Sequence, residues 1–363
     1  MANRNVVAIG GSAGSIKPLN AILEKLPGDL KAAIIVVIHI PAESIGLYSA
    51  IASRCPFPVV TAQDGMAIEV GKVFVAPPDH HLLLMGEVFK LGKGPRENLA
   101  RPAIDPLFRS VALSAGSRAI GLILSGMLND GASGLAAIKS CGGIALVQAP
   151  NMAEAAAMPI AALEATPVDL SAGEAELAAA VVRYVEQEAG ASHPVPVPRE
   201  LKLEVEIAAG AGSTTATIVE LGHPVALTCP DCGGVLSEVE GSRPLRFRCQ
   251  VGHALTAKTL LVEQQSAVDE AMRVALRIIE ERAELVSRMG HDANASGRAG
   301  IAENFLKKSA EYRGHADTLR QALLQLMEGE PDGLEEAAFA SYEARIVLKD
   351  NREAVQAADG AGL

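Results

Sequence analysis

The sequence is poor in aromatic residues, contains no tryptophan and carries more acidic than basic side chains. Aromatic residues make up 3% of its 363 residues, and its net charge at pH 7 is −11. Single-stranded nucleic acids bind to aromatic stacking platforms, and their phosphates bind to clusters of Lys and Arg. The composition therefore excludes nucleic acid as an expected partner.

Long hydrophobic runs are also absent, although 49% of the residues are hydrophobic. No uninterrupted apolar run reaches the roughly 18 residues that a membrane-spanning helix needs. The N-terminal MANRNVV lacks the basic-then-apolar pattern of a secretory signal. We therefore expect a cytoplasmic protein that does not insert into membranes.

Cysteine is scarce as well. The chain contains five cysteines, which are too few to form a disulfide framework in a protein of this length. Cys229 and Cys232 form a CxxC pair, and Cys249 and His253 follow after 16 further residues. This spacing is typical of four zinc ligands on two short knuckles. Because four ligands close the coordination shell, we expect a structural rather than a catalytic zinc; the alternative is a reduced CxxC in an ordinary turn.

Apolar strand-like runs alternate with amphipathic helical runs from residue 5 to about 188, which is the pattern of βαβ units. We expect an α/β fold with a doubly wound, mostly parallel sheet, followed by a small zinc-ribbon-like module and a helical hairpin. Alternating prolines before residue 200 predict a stiff linker. The expected segments are the α/β domain (1–190), the linker (191–200), the zinc-binding module (201–257), the helical hairpin (258–330) and an acidic, partly disordered tail (331–363).

Three local patterns add detail. Short apolar runs at 59–60, 72–76 and 82–85 predict an antiparallel insertion or edge. Residues 201–207 alternate apolar and charged side chains, which predicts a half-exposed strand. Asp105 stands before Pro106 and an apolar run, and is expected to cap a helix that extends to residue 115.

Five basic side chains are expected to have no catalytic role. Arg243, Arg246 and Arg248 are expected on the solvated surface, with binding of an acidic partner as the alternative. His80 and His81 are expected in a surface loop.

Ser12 lies in Gly10-Gly11-Ser12-Ala13-Gly14, directly behind a β-branched run. Glycines on both sides of a serine allow the sharp strand-to-helix turn of a nucleophile elbow, which presents the hydroxyl above the end of the strand. A glycine-rich first βα turn is also common for geometric reasons or for binding phosphate. Dinucleotide binding is disfavoured, because the segment departs from GxGxxG and His39 ends the second strand in place of an acid.

His39 and Asp130 follow two other predicted strands. Taken alone, each has an ordinary explanation as a core histidine or a turn residue. Because the carboxyl ends of parallel strands meet at one edge, the two can converge with Ser12 into a hydrolytic triad. Ser12 would be the nucleophile, His39 the general base and Asp130 the residue that orients the imidazole. Backbone N–H groups of the Gly126-Met127 turn, or just after Ser12, are the candidate oxyanion hole.

Residues 5–185 resemble the catalytic domain of the bacterial chemotaxis protein-glutamate methylesterases, the CheB type. The resemblance rests on segments spread over the whole domain: VVAIGGSAGS, VVIHIP, GKVFVAPPDHHLLL, RPAIDPLFRSVA and LILSGMLNDGASG. It implies that Ser12, His39 and Asp130 are the catalytic triad. It also implies hydrolysis of glutamate methyl esters on chemoreceptor helices, in some members with deamidation of receptor glutamines. No cofactor is expected for catalysis.

Two features depart from the resemblance. Family members commonly carry an N-terminal receiver domain, whereas the esterase-like stretch here begins at residue 5, and the extension from about residue 200 is not part of the resemblance. We therefore expect any regulation to come from the C-terminal half, and a chain truncated near residue 195 to stay folded with altered activity or targeting. The alternative function is a non-catalytic or weakly active scaffold that docks in a chemosensory complex through its C-terminal helices.

Overall fold

A computed structural model describes residues 3–39, 47–190 and 198–328. Most of the predicted linker and the whole predicted tail lie outside these residues. The described chain divides into two compact units, the first ending at Leu260 and the second beginning at Leu261.

The strands are, in chain order, β1 (Val6–Gly11), β2 (Ala33–Ile38), β3 (Val59–Thr61), β4 (Val73–Val75), β5 (His81–Met85), β6 (Val88–Gly92), β7 (Ala119–Ile123), β8 (Ile144–Gln148), β9 (Leu170–Ala172), β10 (Gly222–Thr228), β11 (Val235–Val239), β12 (Arg246–Cys249) and β13 (Ala254–Thr256). The helices are α1 (Ile16–Leu23), α2 (Leu47–Ala52), α3 (Ile104–Ala115), α4 (Ala132–Ser140), α5 (Ala157–Ala165), α6 (Glu174–Glu186), α7 (Arg199–Ala209), α8 (Thr215–Leu221), α9 (Ala257–Ala295) and α10 (Ala299–Glu328).

Seven strands form the central sheet in the order β3-β4-β2-β1-β7-β8-β9, and every pairing in it is parallel. β1 and β2 are continuous runs of small and β-branched residues and are buried throughout, as expected for strands covered on both faces. Alternate residues of β1 enter opposite layers: Val6 packs with α3 and α4, and Val7 packs with α1 and α6. The predicted α/β fold with a mostly parallel sheet is confirmed.

The prediction of an antiparallel insertion or edge is wrong about the strand direction for two of its three strands, which lie at one edge of the central sheet. β3 and β4 are parallel members of the central sheet, where Ile34 of β2 pairs with Val73 of β4. β4 is buried along its whole length, which is the environment of an internal parallel strand. Of the three predicted strands, only β5 forms an antiparallel pair, a hairpin with β6.

The strand predicted over 201–207 is also wrong, because these residues lie in α7. The side chains that α7 buries include Leu201, Glu204, Val205 and Ala208, which follow the i, i+3, i+4, i+7 spacing of one helix face. The residues also alternate between apolar and charged side chains, and this alternation led to the prediction of a strand instead of a helix. Leu201 joins the apolar cluster of the central sheet, so α7 packs onto the α/β domain.

Strands β10 to β13 form a four-stranded antiparallel sheet, called here the C-terminal sheet. The predicted C-terminal helices are present as α9 and α10, and within this second unit Ser309 Oγ donates a hydrogen bond to Ala283 O at 2.8 Å. None of the helices in the described ranges is long and apolar enough to span a bilayer.

Candidate active site and metal centre

Three neighbouring strands of the central sheet, β2, β1 and β7, end side by side. Ser12 directly follows β1, and His39 directly follows β2. The N–H of Ser12 donates to Ser125 O at 2.9 Å, and the N–H of His39 donates to Gly11 O at 3.1 Å. The turn that carries Ser12 is therefore hydrogen-bonded to the exits of both adjacent strands.

The glycines around Ser12 allow a tight turn in a crowded place. Gly14 has a φ of +72°, and a Cβ atom there would lie 2.6 Å from the Cβ of Glu154. A Cβ atom on Gly126 would lie 3.0 Å from the Cβ of Ser12. The backbone after β7 thus runs directly against the serine, and Ser12 stays half-buried at the strand end. A nucleophile elbow is likewise built on a tight turn directly after a strand.

His39 and Asp130 are in direct contact. The Nε2 of His39 lies 2.7 Å from Oδ2 of Asp130, and the two side chains are 21% and 2% exposed. With Nε2 bound to the carboxylate, Nδ1 is the ring nitrogen left to accept a proton from a nucleophile. Among the described residues Ser12 Oγ makes no hydrogen bond to His39; in enzymes without substrate this contact is often long and tightens in the complex.

Asp130 accepts hydrogen bonds at the N-terminus of α3. Its carboxylate oxygens accept from the N–H of Ile104 at 2.6 Å and of Asp105 at 3.2 Å, and from the side-chain amide of Asn98 at 3.0 Å. Burial opposes the charged form of this carboxylate, but the hydrogen bonds from His39, Ile104 and Asn98 outweigh it and hold the pKa of Asp130 below its usual range. Asp130 is therefore suited to remain ionised next to an imidazolium.

The predicted capping role of Asp105 is wrong. α3 begins at Ile104, one residue earlier, and Asp130 accepts the free N–H groups that a capping side chain would accept. The buried carboxylate of Asp105 instead accepts the N–H of Gly134 at 2.6 Å. Burial and the nearby charge of Asp130 raise the pKa of Asp105 to about 7.

The candidate oxyanion donors are narrowed by the hydrogen-bonding pattern. The N–H of Gly126 donates to Ala155 O at 3.0 Å, so it is not available to donate to an oxyanion. The N–H groups of Ala13 and Met127 make no hydrogen bond within the described part of the chain. They flank Ser12 from its own turn and from the turn after β7, as a two-donor oxyanion hole requires.

The four predicted zinc ligands converge on one point. The ligand atoms of Cys229, Cys232, Cys249 and His253 all lie within 4.8 Å of one another. Cys232 Sγ is 3.6 Å from Cys249 Sγ, and His253 Nδ1 is 3.5 Å from Cys249 Sγ and 3.8 Å from Cys229 Sγ. A tetrahedral ion with Zn–S bonds of about 2.3 Å would place its sulfurs roughly 3.8 Å apart. The donor set and its spacing therefore fit zinc.

The backbone around these ligands forms two knuckles. The N–H of Gly233 donates to Cys229 O at 2.8 Å with a φ of +70°, and the N–H of Gly252 donates to Cys249 O at 2.9 Å with a φ of +106°. Asp231 Oδ2 lies 3.9 Å from Nε2 of His253, the ring nitrogen that would not bind metal. This separation is longer than the hydrogen bond by which an outer carboxylate orients a ligating imidazole.

Two of the three arginines expected on the surface are buried. Arg246 and Arg248, both on β12, are 6% and 0% exposed, whereas Arg243 is exposed. Arg246 forms a bidentate pair with Glu204 of α7 at 2.7 and 3.0 Å. Their partner lies about 40 positions away in the chain, so no local pattern indicated their burial.

The buried network continues into the α/β domain. Arg248 Nη2 lies 2.9 Å from Glu97 and 3.0 Å from Glu204, and Glu97 also pairs with Arg109 of α3. The positive charges around Glu97 and Glu204 hold the pKa of both carboxyls below their usual range although burial acts in the opposite direction. The C-terminal sheet and α7 are thus joined to the α/β domain by charges excluded from water.

His81 is likewise buried rather than in a surface loop. Its Nε2 donates to Pro95 O at 2.9 Å, and burial lowers the pKa of its imidazole. Sequence reasoning also missed Asn98, which carries no pattern of its own in the chain. Only the folded structure shows that its amide donates a hydrogen bond to Asp130.

A family model described as CheB methylesterase matches residues 7–181. A relative from Leptospira interrogans, named for protein-glutamate methylesterase and protein-glutamine glutaminase activity, is 41% identical over 169 residues, which cover 46% of this chain and 88% of the relative. A protein-glutamate methylesterase/protein-glutamine glutaminase from Pyrococcus abyssi is 36% identical over 198 residues, covering 52% of this chain and 53% of the relative.

The crystal structure of the Thermotoga maritima CheB methylesterase catalytic domain aligns with a TM-score of 0.49 and 29% sequence identity, covering 50% of this chain and 99% of that one.

Proposed function

The chain belongs to the CheB methylesterase family, and we propose that it is a serine hydrolase that removes methyl esters from glutamate side chains of chemoreceptors. The main support for this proposal is the contact of His39 with the buried Asp130 at 2.7 Å. His39 lies at the end of β2, where its backbone is hydrogen-bonded to the residue before Ser12. A base held by a buried carboxylate, with a half-buried serine at the end of the neighbouring strand, is what acyl transfer needs.

In the proposed reaction Ser12 Oγ attacks the ester carbonyl carbon and transfers its proton to Nδ1 of His39. The carbonyl oxygen becomes an oxyanion that accepts hydrogen bonds from the N–H groups of Ala13 and Met127. When the intermediate collapses, the C–O bond to the methoxy group breaks, and the imidazolium returns the proton to give methanol. Water then attacks the acyl-serine by the same route and releases the glutamate carboxylate and Ser12.

The carboxylate of Asp130 stabilises the imidazolium that forms in both steps. It stays ionised because hydrogen bonds from Ile104 N–H, Asn98 and His39 outweigh its burial. Glutamine deamidation follows the same steps with ammonia as the leaving group, and the relatives named above carry that activity in their names. We include it in the proposal for this chain.

The partner implied by this chemistry is a methylated helix on the cytoplasmic part of a chemoreceptor, and the enzyme would share that compartment. The C-terminal helices are proposed to bind another chemosensory protein, supported by exposed apolar side chains such as Ile278 and Leu285. The catalytic steps need no cofactor.

We further propose that zinc bound by Cys229, Cys232, Cys249 and His253 is structural. The support is the spacing of the ligand atoms, which fits one tetrahedral ion with no position left for substrate. Bound zinc would supply folding energy to the C-terminal sheet.

The direct test is methanol release from a chemoreceptor fragment whose glutamates have been methylated enzymatically. The wild-type chain is expected to release methanol, and Ser12→Ala is expected to release none above background. Ser140→Ala, which removes an exposed serine from α4, is the matched control and should match the wild type. A wild type that performs no better than Ser12→Ala would favour the scaffold alternative.

A further inference from the structure

The last strand of the C-terminal sheet runs beside the segment that holds Asp130. The N–H of Asn98 donates to Ala254 O at 2.8 Å, and the N–H of Ala254 donates to Arg96 O at 3.3 Å. Glu97 and Ala254 form a parallel bridge. Residues 96–98 are therefore a short addition to the edge of the C-terminal sheet, although they belong to the α/β domain in the sequence.

The side chain of Asn98 connects this strand to the catalytic acid. Its Oδ1 accepts the N–H of Thr256 at 3.0 Å, and its Nδ2 donates to Oδ1 of Asp130 at 3.0 Å. Asn98 is buried and has a φ of +49°, a left-handed conformation that is unfavourable for most residues but tolerated by asparagine. These contacts hold the amide in one orientation, because a flip of the amide would turn its NH₂ group toward the N–H of Thr256, and both groups are donors.

Asn98 also lies between two carboxylates. Besides Asp130, its Nδ2 reaches Oδ2 of Asp105 at 3.4 Å. Both carboxylates are buried and repel each other when ionised. A donor shared between them fixes the direction in which each points, so that Oδ2 of Asp130 is left for His39.

A second contact from the same strand reaches the residue before Asp130. Thr256 Oγ1 donates to Oδ1 of Asn129 at 2.6 Å, and Thr259 Oγ1 lies 3.4 Å from the same oxygen. The backbone N–H of Thr256 thus orients Asn98, while its hydroxyl orients Asn129. β13 therefore contacts Asn129 directly and Asp130 through Asn98.

We propose that Asn98 is a positioning residue for the reaction, and that Thr256 of the C-terminal sheet fixes it and the loop of Asp130, so that the C-terminal sheet sets the geometry of the catalytic acid. The inference rests on the proposed function and adds to it a role for the extension. It makes the C-terminal sheet a part of the active-site framework rather than a detachable gate.

The test compares four variants in the full-length chain. Asn98→Ala removes the donor to Asp130, and Thr256→Val removes the hydroxyl at constant shape. Thr256→Ser keeps the hydroxyl and is the rescue variant. Thr228→Val, at an exposed position of β10 in the same sheet, is the matched control.

Each variant is assayed for kcat and KM in ester hydrolysis. A hydrogen bond to a charged group, such as that from Asn98 to Asp130, corresponds to roughly a tenfold to hundredfold change in rate, and a neutral one, such as that from the Thr256 hydroxyl to Asn129, to roughly a twofold to tenfold change. We expect Asn98→Ala and Thr256→Val to lose kcat by about these respective factors with KM unchanged, and Thr256→Ser and Thr228→Val to resemble the wild type. Because binding residues are untouched, a loss confined to kcat separates positioning from a general loss of structure.

A spectroscopic readout needs no turnover. The proton between His39 Nε2 and Asp130 is measured as a downfield ¹H resonance, assigned by its absence in His39→Gln. We expect it to shift or broaden in Asn98→Ala and Thr256→Val and to stay in place in Thr256→Ser. Wild-type kcat together with an unchanged resonance in folded Thr256→Val would overturn the inference. If the wild type hydrolyses no ester, the proposed function fails and the resonance alone decides this inference.

Discussion

Arg248 of the C-terminal sheet and Glu97 of the α/β domain form an ion pair at 2.9 Å in which both side chains are 1% exposed. Glu204 of α7 lies 3.0 Å from the same guanidinium. Each buried charge in this group depends on a partner from another part of the chain. Such a network is costly to open, because removing one member leaves its neighbours with one partner fewer in a medium of low dielectric constant.

The first prediction concerns this network. Arg248→Met should lower the free energy of unfolding by about 3–5 kcal/mol, because Glu97 and Glu204 lose a shared partner while remaining buried. Arg243→Met, at an exposed position three residues before β12, should change it by less than about 0.5 kcal/mol. Urea unfolding followed by circular dichroism measures both. Equal midpoints for Arg248→Met and the wild type would show that the network adds nothing to stability.

The second prediction concerns a chain truncated near residue 195. The truncation removes Glu204, Arg246 and Arg248 together and exposes Glu97 and Arg109 to water. We expect the remaining α/β domain to unfold at lower urea and to lose kcat, since Asn98 also loses Thr256. The comparison is with the full-length chain in the same ester assay. Unchanged stability and unchanged kcat would show that the extension is independent of the esterase.

The third prediction is a pH dependence of stability that originates at Asp105. Burial and the charge of Asp130 raise its pKa to about 7 in the folded chain, against about 3.9 when unfolded. Between these two pH values the folded state binds more protons than the unfolded state. The contribution of Asp105 to the free energy of unfolding is therefore complete below pH 4 and decreases as the pH rises toward 7. The effect is of the order of a few kcal/mol, at about 1.4 kcal/mol for each pKa unit.

Asp105→Asn isolates this contribution, because asparagine keeps the shape and does not titrate. The difference in unfolding free energy between Asp105→Asn and the wild type should shift in favour of the variant as the pH rises from 4 to 7. Urea unfolding at intervals of half a pH unit measures it. Parallel stability curves for the two proteins over this range would mean that Asp105 does not bind a proton preferentially in the folded state.

The fourth prediction concerns the metal. Elemental analysis of the purified chain should find about one zinc per chain, and Cys232→Ser and Cys249→Ser should each lose it. Removal of zinc with a chelator should also destabilise the C-terminal sheet, since metal binding and folding are coupled. Cys55→Ser, which changes a cysteine outside the cluster, is the control and should retain zinc. If the purified wild type contains no metal and a chelator does not change the stability of its C-terminal sheet, the four residues form an ordinary turn and not a zinc site.

The positions of Ser12, His39 and Asp130 at strand exits could be predicted because β1, β2 and β7 are continuous apolar runs whose ends are visible in the sequence. Parallel pairing then brings the exits together without further information. The contact of His39 with Asp130 is one consequence of that rule. The sequence did not indicate which ring nitrogen would face the carboxylate, since this depends on the rotamer.

The burial of Arg246 and the role of Asn98 could not be predicted, because both depend on partners distant in the chain. Glu204 faces Arg246 only because residues 201–207 are helical, and the alternating letters there indicated a strand. Asn98 contacts Thr256, 158 positions later. A local pattern contains no information on such pairs, whereas hydrophobic periodicity reports mainly on burial of apolar faces.

The most direct test of the account is the reactivity of Ser12 toward a fluorophosphonate probe, with the adduct located by mass spectrometry. A serine activated by a neighbouring imidazole reacts with such probes, and an ordinary surface serine does not. We expect a single adduct on Ser12 in the wild type and in Ser140→Ala, strongly reduced labelling in His39→Ala, and none in Ser12→Ala. Labelling of the wild type no greater than that of Ser12→Ala would contradict it.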